Sequence, residues 1–306
     1  MQRSIENPRF GMLVFGASML FNTVGNYVLI FGKLGFPALG ITGAAVATLL
    51  SRVVEFFLAF SYALRCRTVP LIKRALLRPG MDMLRRFLRY SAPVLVNETL
   101  WGTGFSMITV IMGHMAASGD LIAAYTLAGN IDKLMTSGIF GIAAAVAVIV
   151  GKEIGAGNLK GVYNIGRALC FTAAAFGLAV GVLEYVLFLV LMRPYVMPLF
   201  SLSAAAEALC GVMIACYACA IPLHSFSTTM VVGVLRGGGD VRASLLIDNI
   251  PLWCVSLPVM YLLGIVLKVP NEAFCLCLMV ESTVKTPIGI WRVHSGKWVH
   301  DITRIE

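Results

Sequence analysis

Six carboxylates stand inside long apolar runs of the sequence: Glu55, Glu98, Asp132, Glu184, Asp248 and Glu281. Three bases share that setting, Arg52, Lys133 and Lys285. A charge at the centre of an apolar helix costs roughly 2.5–3.5 kcal/mol on insertion scales, so each needs a partner, water or a task. A carboxylate so placed can bind a proton or Na⁺, or hold an organic cation. Glu98 is the leading candidate, and a Na⁺ site is placed there. Asn97 and Gly102 lie nearby, and Trp101, one turn on, offers a ring face for a cationic ligand. Asp132 comes second. Tyr125, Asp132 and Thr136 follow at i−7, i and i+4, one polar stripe on one helix face, as in the wall of a cavity. Asn130 falls on another face. A third stripe is Tyr217, His224, Ser227 and Thr228, and a histidine can exchange protons near neutral pH.

Each of these residues also has a plainer reading. Glu98 can pair with a base on another helix, Lys133 for instance. Asp132 and Lys133 point about 100° apart on a helix, so they would need separate partners. His224 can be an ordinary hydrogen-bonding group. Glu281 with Lys285 (i, i+4) and Arg52 with Glu55 (i, i+3) have the spacing of structural pairs. Glu184 and Asp248 have no partner close in sequence. Pro93, Pro222, Pro251 and Pro258 predict kinks that turn carbonyls toward a cavity.

The elements that carry these residues follow from composition. The chain has 306 residues, 59% hydrophobic and 13% charged, with a mean hydropathy of +0.87. Soluble domains run near 45–50% apolar and roughly 25% charged. An ordinary soluble enzyme, a disordered chain and a disulfide scaffold are excluded, and an all-α polytopic membrane protein remains. At about 20 residues per span the length admits eight or nine helices. Apolar runs predict eight, over 11–31, 41–63, 90–113, 121–150, 168–192, 209–234, 243–266 and 273–291. Alternation with period two, the mark of a membrane barrel, does not occur in them. The first run, of 21 residues, exceeds a signal-peptide core and reads as a retained helix.

The 24 basic residues test this division. With the amino terminus in the cytoplasm, 18 of them fall in cytoplasmic ends and loops, including Arg65, Lys152, Arg236 and Arg292. Only Lys33, Arg193 and Lys268 fall opposite. That bias places both termini in the cytoplasm and explains the net charge of +9 without nucleic acid. The stretch 65–89 reads as a basic linker against an anionic leaflet. Seven of the eight cysteines lie in apolar runs and read as small packing residues, the Cys216-x-x-Cys219 pair included. The sequence has no Walker A motif, metal-ligand spacing or nucleophile–base pair, so no enzyme is expected.

A shift of 233 residues partly superposes the chain on itself. Arg3 meets Arg236, Asn7 meets Asp240, Arg9 meets Arg242, Pro37 meets Pro270 and Arg52 meets Lys285. Spans 1–2 and 7–8 therefore read as equivalent parts of a parallel six-helix repeat. The expected division is 1–64, the last two helices of a first lobe, then the linker 65–89, then a six-helix second lobe over 90–306. Four helices are expected to precede Met1, giving roughly 450 residues and twelve helices.

Four segments now become recognisable. Asn26–Arg52 (NYVLIFGKLGFPALGITGAAVATLLSR) resembles the sixth-helix region of MATE (multidrug and toxic compound extrusion) transporters. Asn97–Met115 (NETLWGTGFSMITVIMGHM) is similar to their seventh helix, Val150–Asn158 (VGKEIGAGN) to the loop after the eighth, and Gly233–Asp240 (GVLRGGGD) to the loop before the eleventh. The resemblance covers almost the whole chain. It implies two six-helix lobes about a central cavity, with helices five to twelve present here. It implies efflux of cationic or amphipathic molecules across the plasma membrane, in exchange for Na⁺ or H⁺ and with no other cofactor. Glu98 falls on the acid of the cation site in one branch. That branch pairs it with an aspartate on the tenth helix, where this chain has only Glu207 just before the span. The proton-coupled branch uses first-helix acids, which would lie outside this sequence.

The expected function is therefore secondary active transport of a small, cationic substrate by alternating access, with the bilayer and the absent helices or a partner chain completing the protein. Two alternatives stand beside it. A flippase for lipid-linked oligosaccharides would need a basic cavity to meet phosphates, against the six-to-three excess of acids within spans. A non-transporting scaffold or remnant would follow from the absence of four helices.

Overall fold

The structure, a computed structural model, describes residues 8–65, 80–200 and 202–299. The basic residues at 67–78, Cys66, and the two ends with Arg3 and Arg304 lie outside the described residues. Among the described residues the chain is helical throughout, and eight helices are long and apolar enough to cross a membrane. They are α1 (Pro8–Phe31), α2 (Gly40–Arg65), α3 (Met81–Gly113), α4 (Ser118–Gly155), α5 (Leu159–Leu187, carried on to Phe200), α6 (Ala204–Leu235), α7 (Val241–Val266) and α8 (Asn271–His294).

Each helix contains one expected run and extends past it where polar residues continue the backbone ladder. The largest difference is α3, which begins at Met81 rather than residue 90. The last part of the expected linker is thus helical, because Met81–Arg89 holds no glycine or proline to stop it. Side-chain caps set several starts. Asn158 accepts from the Gly161 N–H at the head of α5, Ser203 from Ala206 at α6, and Asp240 from Ala243 at α7. The VGKEIGAGN segment ends α4 and makes the turn to α5 over its last three residues: Gly157 takes φ 78° and Asn158 also donates to Glu153.

The chain divides into two compact units, Met1–Arg86 and Phe87–Glu306. In the first, α1 and α2 lie close: a side chain on Gly43 would sit 2.5 Å from the Leu29 carbonyl oxygen. A polar seam runs between them. Ser18 donates to Glu55 and to the Ser51 carbonyl, Asn22 to Thr48 and Ser51, and Arg52 pairs with Glu55 at 2.7 Å.

In the second unit α3–α8 pack around two apolar cores. One joins Met112, Leu121, Met213, Ile214, Leu252 and Phe274. The other, at the opposite ends of the same helices, joins Val150, Val162, Met230, Val234 and the fully buried Trp298. The GVLRGGGD segment closes this second core. Gly233 and Gly237 sit against the α4 backbone at Ala143 and Ala147, and Gly238 against Trp298. Asp240, beyond its cap, is clamped by Arg292 at 2.8 and 2.5 Å.

Prolines loosen the pitch. Pro222 cannot donate to the Ala218 carbonyl, and Gly181 of α5 fills that place, where a side chain would come within 2.4 Å of the oxygen. Gly177, one turn earlier, meets Ile221 and Pro222, and Ser225 donates to the Ala173 carbonyl at 2.6 Å. In α7 the backbone widens to π turns over Pro251–Ser256 and Leu262–Val266. Such turns recur at functional sites.

Candidate functional site

The second unit holds two adjoining cavities. The larger, about 430 Å³, is lined by α3, α4 and α6 through residues that include Trp101, Phe105, Tyr125, Asn130, Asp132, Lys133, Thr136, Phe140, Tyr217 and His224. The smaller, about 80 Å³, shares Phe105, Tyr125, Asp132, Tyr217 and His224 and reaches Ser256 of α7 and Glu281 of α8. The i, i+3, i+4 spacing of helices creates this wall: Tyr125 and Asp132 are two turns apart on α4, and Tyr217 and His224 two turns apart on α6.

The lining is aromatic with isolated polar groups. Trp101 and Phe105 stack tilted, with ring centroids 4.5 Å apart. Phe140 meets His224 edge-on at 6.5 Å. His224 has Thr228 as its near neighbour, at 3.4 Å. Thr136 donates to the backbone carbonyl of Asp132 at 2.7 Å. No described side chain hydrogen-bonds the Asp132 carboxylate itself, so its charge is open to the cavity.

A second polar cluster lies beside it. Lys285 donates to Asp248 at 2.7 Å and to Glu281 at 2.8 Å. Asn97 donates to the other Asp248 oxygen at 2.8 Å and accepts from Asn249 at 2.6 Å. Arg236 pairs with Glu98 at 2.9 Å and stands 3.8 Å from Asp248. Lys285, Asn97 and Asp248 are all under 10% exposed. Three carboxylates and two cations thus tie α3, α6, α7 and α8 together. Glu281 belongs to both places: it lines the smaller cavity and binds Lys285.

The sequence-predicted residues separate accordingly. Trp101, Tyr125, Asp132, Thr136, Tyr217 and His224 come together around the cavities. Asn130, expected on another face, joins them, because the larger cavity wraps far enough round α4 to reach it. Glu98 and Asn97 do not line these cavities. Glu98 is half-exposed on Arg236, a partner 138 positions further along the chain, and Asn97 is in the buried cluster. Ser227 is buried and donates within α6, to the carbonyls of Leu223 and His224. Sequence reasoning read Glu281 only as the structural partner of Lys285, and passed over Phe105 and the Asp248–Lys285 pair. The i+4 spacing of Phe105 from Trp101 marked the first of these. Nothing local marked the last, whose partners are on different helices.

Comparison with known proteins gives consistent results. The profile of the MatE family matches residues 93–262. A probable multidrug resistance protein NorM of Thermotoga maritima is 26% identical over 303 residues, covering 97% of this chain and 62% of that protein. The multidrug resistance protein MdtK of Edwardsiella ictaluri is 26% identical over 260 residues, covering 83% and 54%. This chain therefore spans about 62% or less of the length of these relatives. Among solved structures, a MATE in complex with MaL6 superposes with a TM-score of 0.79 at 21% identity, covering 95% of this chain and 64% of that one. The MATE transporter ClbM, solved with Rb⁺, superposes with a TM-score of 0.72 at 21% identity, covering 97% and 64%. At such identity the structures speak to the fold.

Proposed function

The chain belongs to the MatE family, and from that premise we propose that it forms the larger part of a secondary active transporter that exports cationic or amphipathic small molecules. The carrying observation is the cavity: an unpaired carboxylate, Asp132, in a wall of aromatic rings. Such rings bury the apolar body of a ligand and attract its cationic end, worth about 0.5–2 kcal/mol per cation–π contact. Asp132 supplies the opposite charge. Glu281 offers a second acid, already shared with Lys285.

In this reading a coupling ion, Na⁺ or H⁺, and the substrate compete for the same carboxylates, which couples inward ion flow to export. Two similar lobes rocking against each other would give alternating access. The bias of basic residues supports a plasma-membrane protein with both termini in the cytoplasm. Acidic lining at Asp132 and Glu281 favours cations over the phosphates of a lipid-linked oligosaccharide.

The test uses everted membrane vesicles from cells that make the protein. Uptake of a fluorescent lipophilic cation is followed on imposing a Na⁺ or H⁺ gradient. Gradient-driven uptake that Asp132→Asn lowers at least tenfold is expected. Uptake in the unaltered protein that ignores both gradients would overturn the proposal.

A further inference from the structure

Among the described residues Glu184 is the acidic side chain with both oxygens buried and neither hydrogen-bonded. It is 1% exposed. A buried polar group that no partner satisfies calls for an explanation. For a carboxylate the cost of uncompensated charge is several kcal/mol, so the position requires a positive charge that protein side chains do not supply.

Neighbouring contacts locate it. Along α5, residues 177, 181, 184 and 188 share one face. Gly177 and Gly181 meet Ile221 and Ala218 of α6, while Phe188 meets Gly211, so Glu184 faces α6 between Ala218 and Gly211. On the other side, α5 packs on α4 through Ile139 and Val180, with Ile221 and Met135 completing that small core. The antiparallel run then brings Glu184 level with Met135, one turn from Asp132. Asp132, Glu184 and Tyr217 thus fall within about one helical turn, roughly 5.4 Å of height, on three adjacent helices. Tyr217 adjoins Ala218, which meets Gly181 of α5, and it lines both cavities.

We propose that Glu184 is a cation-binding residue behind the cavity, taking one small monovalent cation, a proton or an alkali ion, that reaches it past Tyr217. Glu184 provides the innermost carboxylate, the phenol of Tyr217 a neutral oxygen, and Asp132 the acid at the cavity side. A cation bound there neutralises Glu184 and lowers the hold of Asp132 on a cationic ligand by competing for its charge. Its place in a transport cycle rests on the function proposed above, whereas its occupancy does not.

Occupancy is measured on the full chain in detergent micelles. Saturable binding of radioactive sodium is one arm. The infrared band of a protonated carboxyl is the other. Wild-type protein is expected to show one of the two signals and Glu184→Gln to lose it, with sodium affinity at least tenfold weaker in the alkali case. Glu184→Asp should restore it in part, and Glu207→Gln should leave it unchanged. Co-elution of each variant with wild type in size-exclusion chromatography guards against misfolding. A sodium signal assigns an alkali ion, and an infrared band assigns a proton. A Glu184→Gln variant that keeps the signal of the wild type overturns the proposal, as does wild type showing neither. Export that ignores gradients while Glu184-dependent binding persists would overturn only the transport reading.

Discussion

Removing the Lys285 ammonium should be among the most damaging single changes in this fold. Lys285 is buried and holds two carboxylates at once, Asp248 at 2.7 Å and Glu281 at 2.8 Å. Lys285→Met keeps most of the side-chain volume and deletes the charge. Breaking a buried pair by removing one partner costs about 3–5 kcal/mol, because the other charge stays behind. Here two charges stay, but Asp248 keeps the Asn97 hydrogen bond at 2.8 Å and Arg236 at 3.8 Å, and Glu281 borders a cavity. Those features favour the lower end, about 3 kcal/mol, or roughly 150-fold in the unfolding equilibrium. The assay is reversible unfolding in mixed micelles with increasing dodecyl sulfate. The double variant Lys285→Met with Asp248→Asn should recover part of the loss, since the orphaned carboxylate is gone. A Lys285→Met loss under about 1 kcal/mol, or a double variant equal to the sum of the singles, would refute the reasoning.

Three further outcomes follow from the same packing. Asp240→Ala removes the cap of α7 and the Arg292 clamp together; about 2–3 kcal/mol should be lost in the same titration, against about 1 kcal/mol for a cap alone. Trp298→Ala empties the core at the ends of α5, α6 and α8, and a loss of about 3–5 kcal/mol is expected, read as a lower unfolding midpoint. Gly181→Ala places a methyl 2.4 Å from the Ala218 oxygen, which must move; about 1–3 kcal/mol should go, whereas Gly102→Ala, in open space, should be silent in the same measurement.

The helices were legible because their signal is local. Twenty consecutive apolar residues cannot be hidden, and the basic residues mark the ends. Asp132 was legible as well: Tyr125 and Thr136 repeat its face at helical spacing, so a cavity wall is written within one segment. Glu98 shows the limit. Its environment looked like a binding site, yet its ion pair is with Arg236, and no rule of spacing joins two residues in different helices. The same limit hid Asp248 from Lys285, 37 positions apart. Glu281 and Lys285 did announce themselves at i and i+4, but the pattern could not disclose that a third charge completes the group. Glu184 stood alone in the sequence and is without a hydrogen-bond partner in the fold as well, which is what makes it informative.

The wide turns of α7 have one more consequence. Each holds more residues per revolution than an α-helix, so it takes up an extra residue locally without turning the flanking segments out of phase. Asp248 and Asn249 turn toward α3 and α8, while beyond Pro251–Ser256 it is Met260 that is buried and Gly264 that meets Met115 and Phe274. On a wheel of 100° per residue Asn249, Met260 and Gly264 fall within about 60° of one another, one buried face along α7. In evolutionary terms, a single-residue deletion between 251 and 256 would be taken up by a return to regular pitch, leaving the outer half near its present rotation. The width of that short stretch, more than the identity of its side chains, lets α7 take up a change of length without turning either end away from its neighbours.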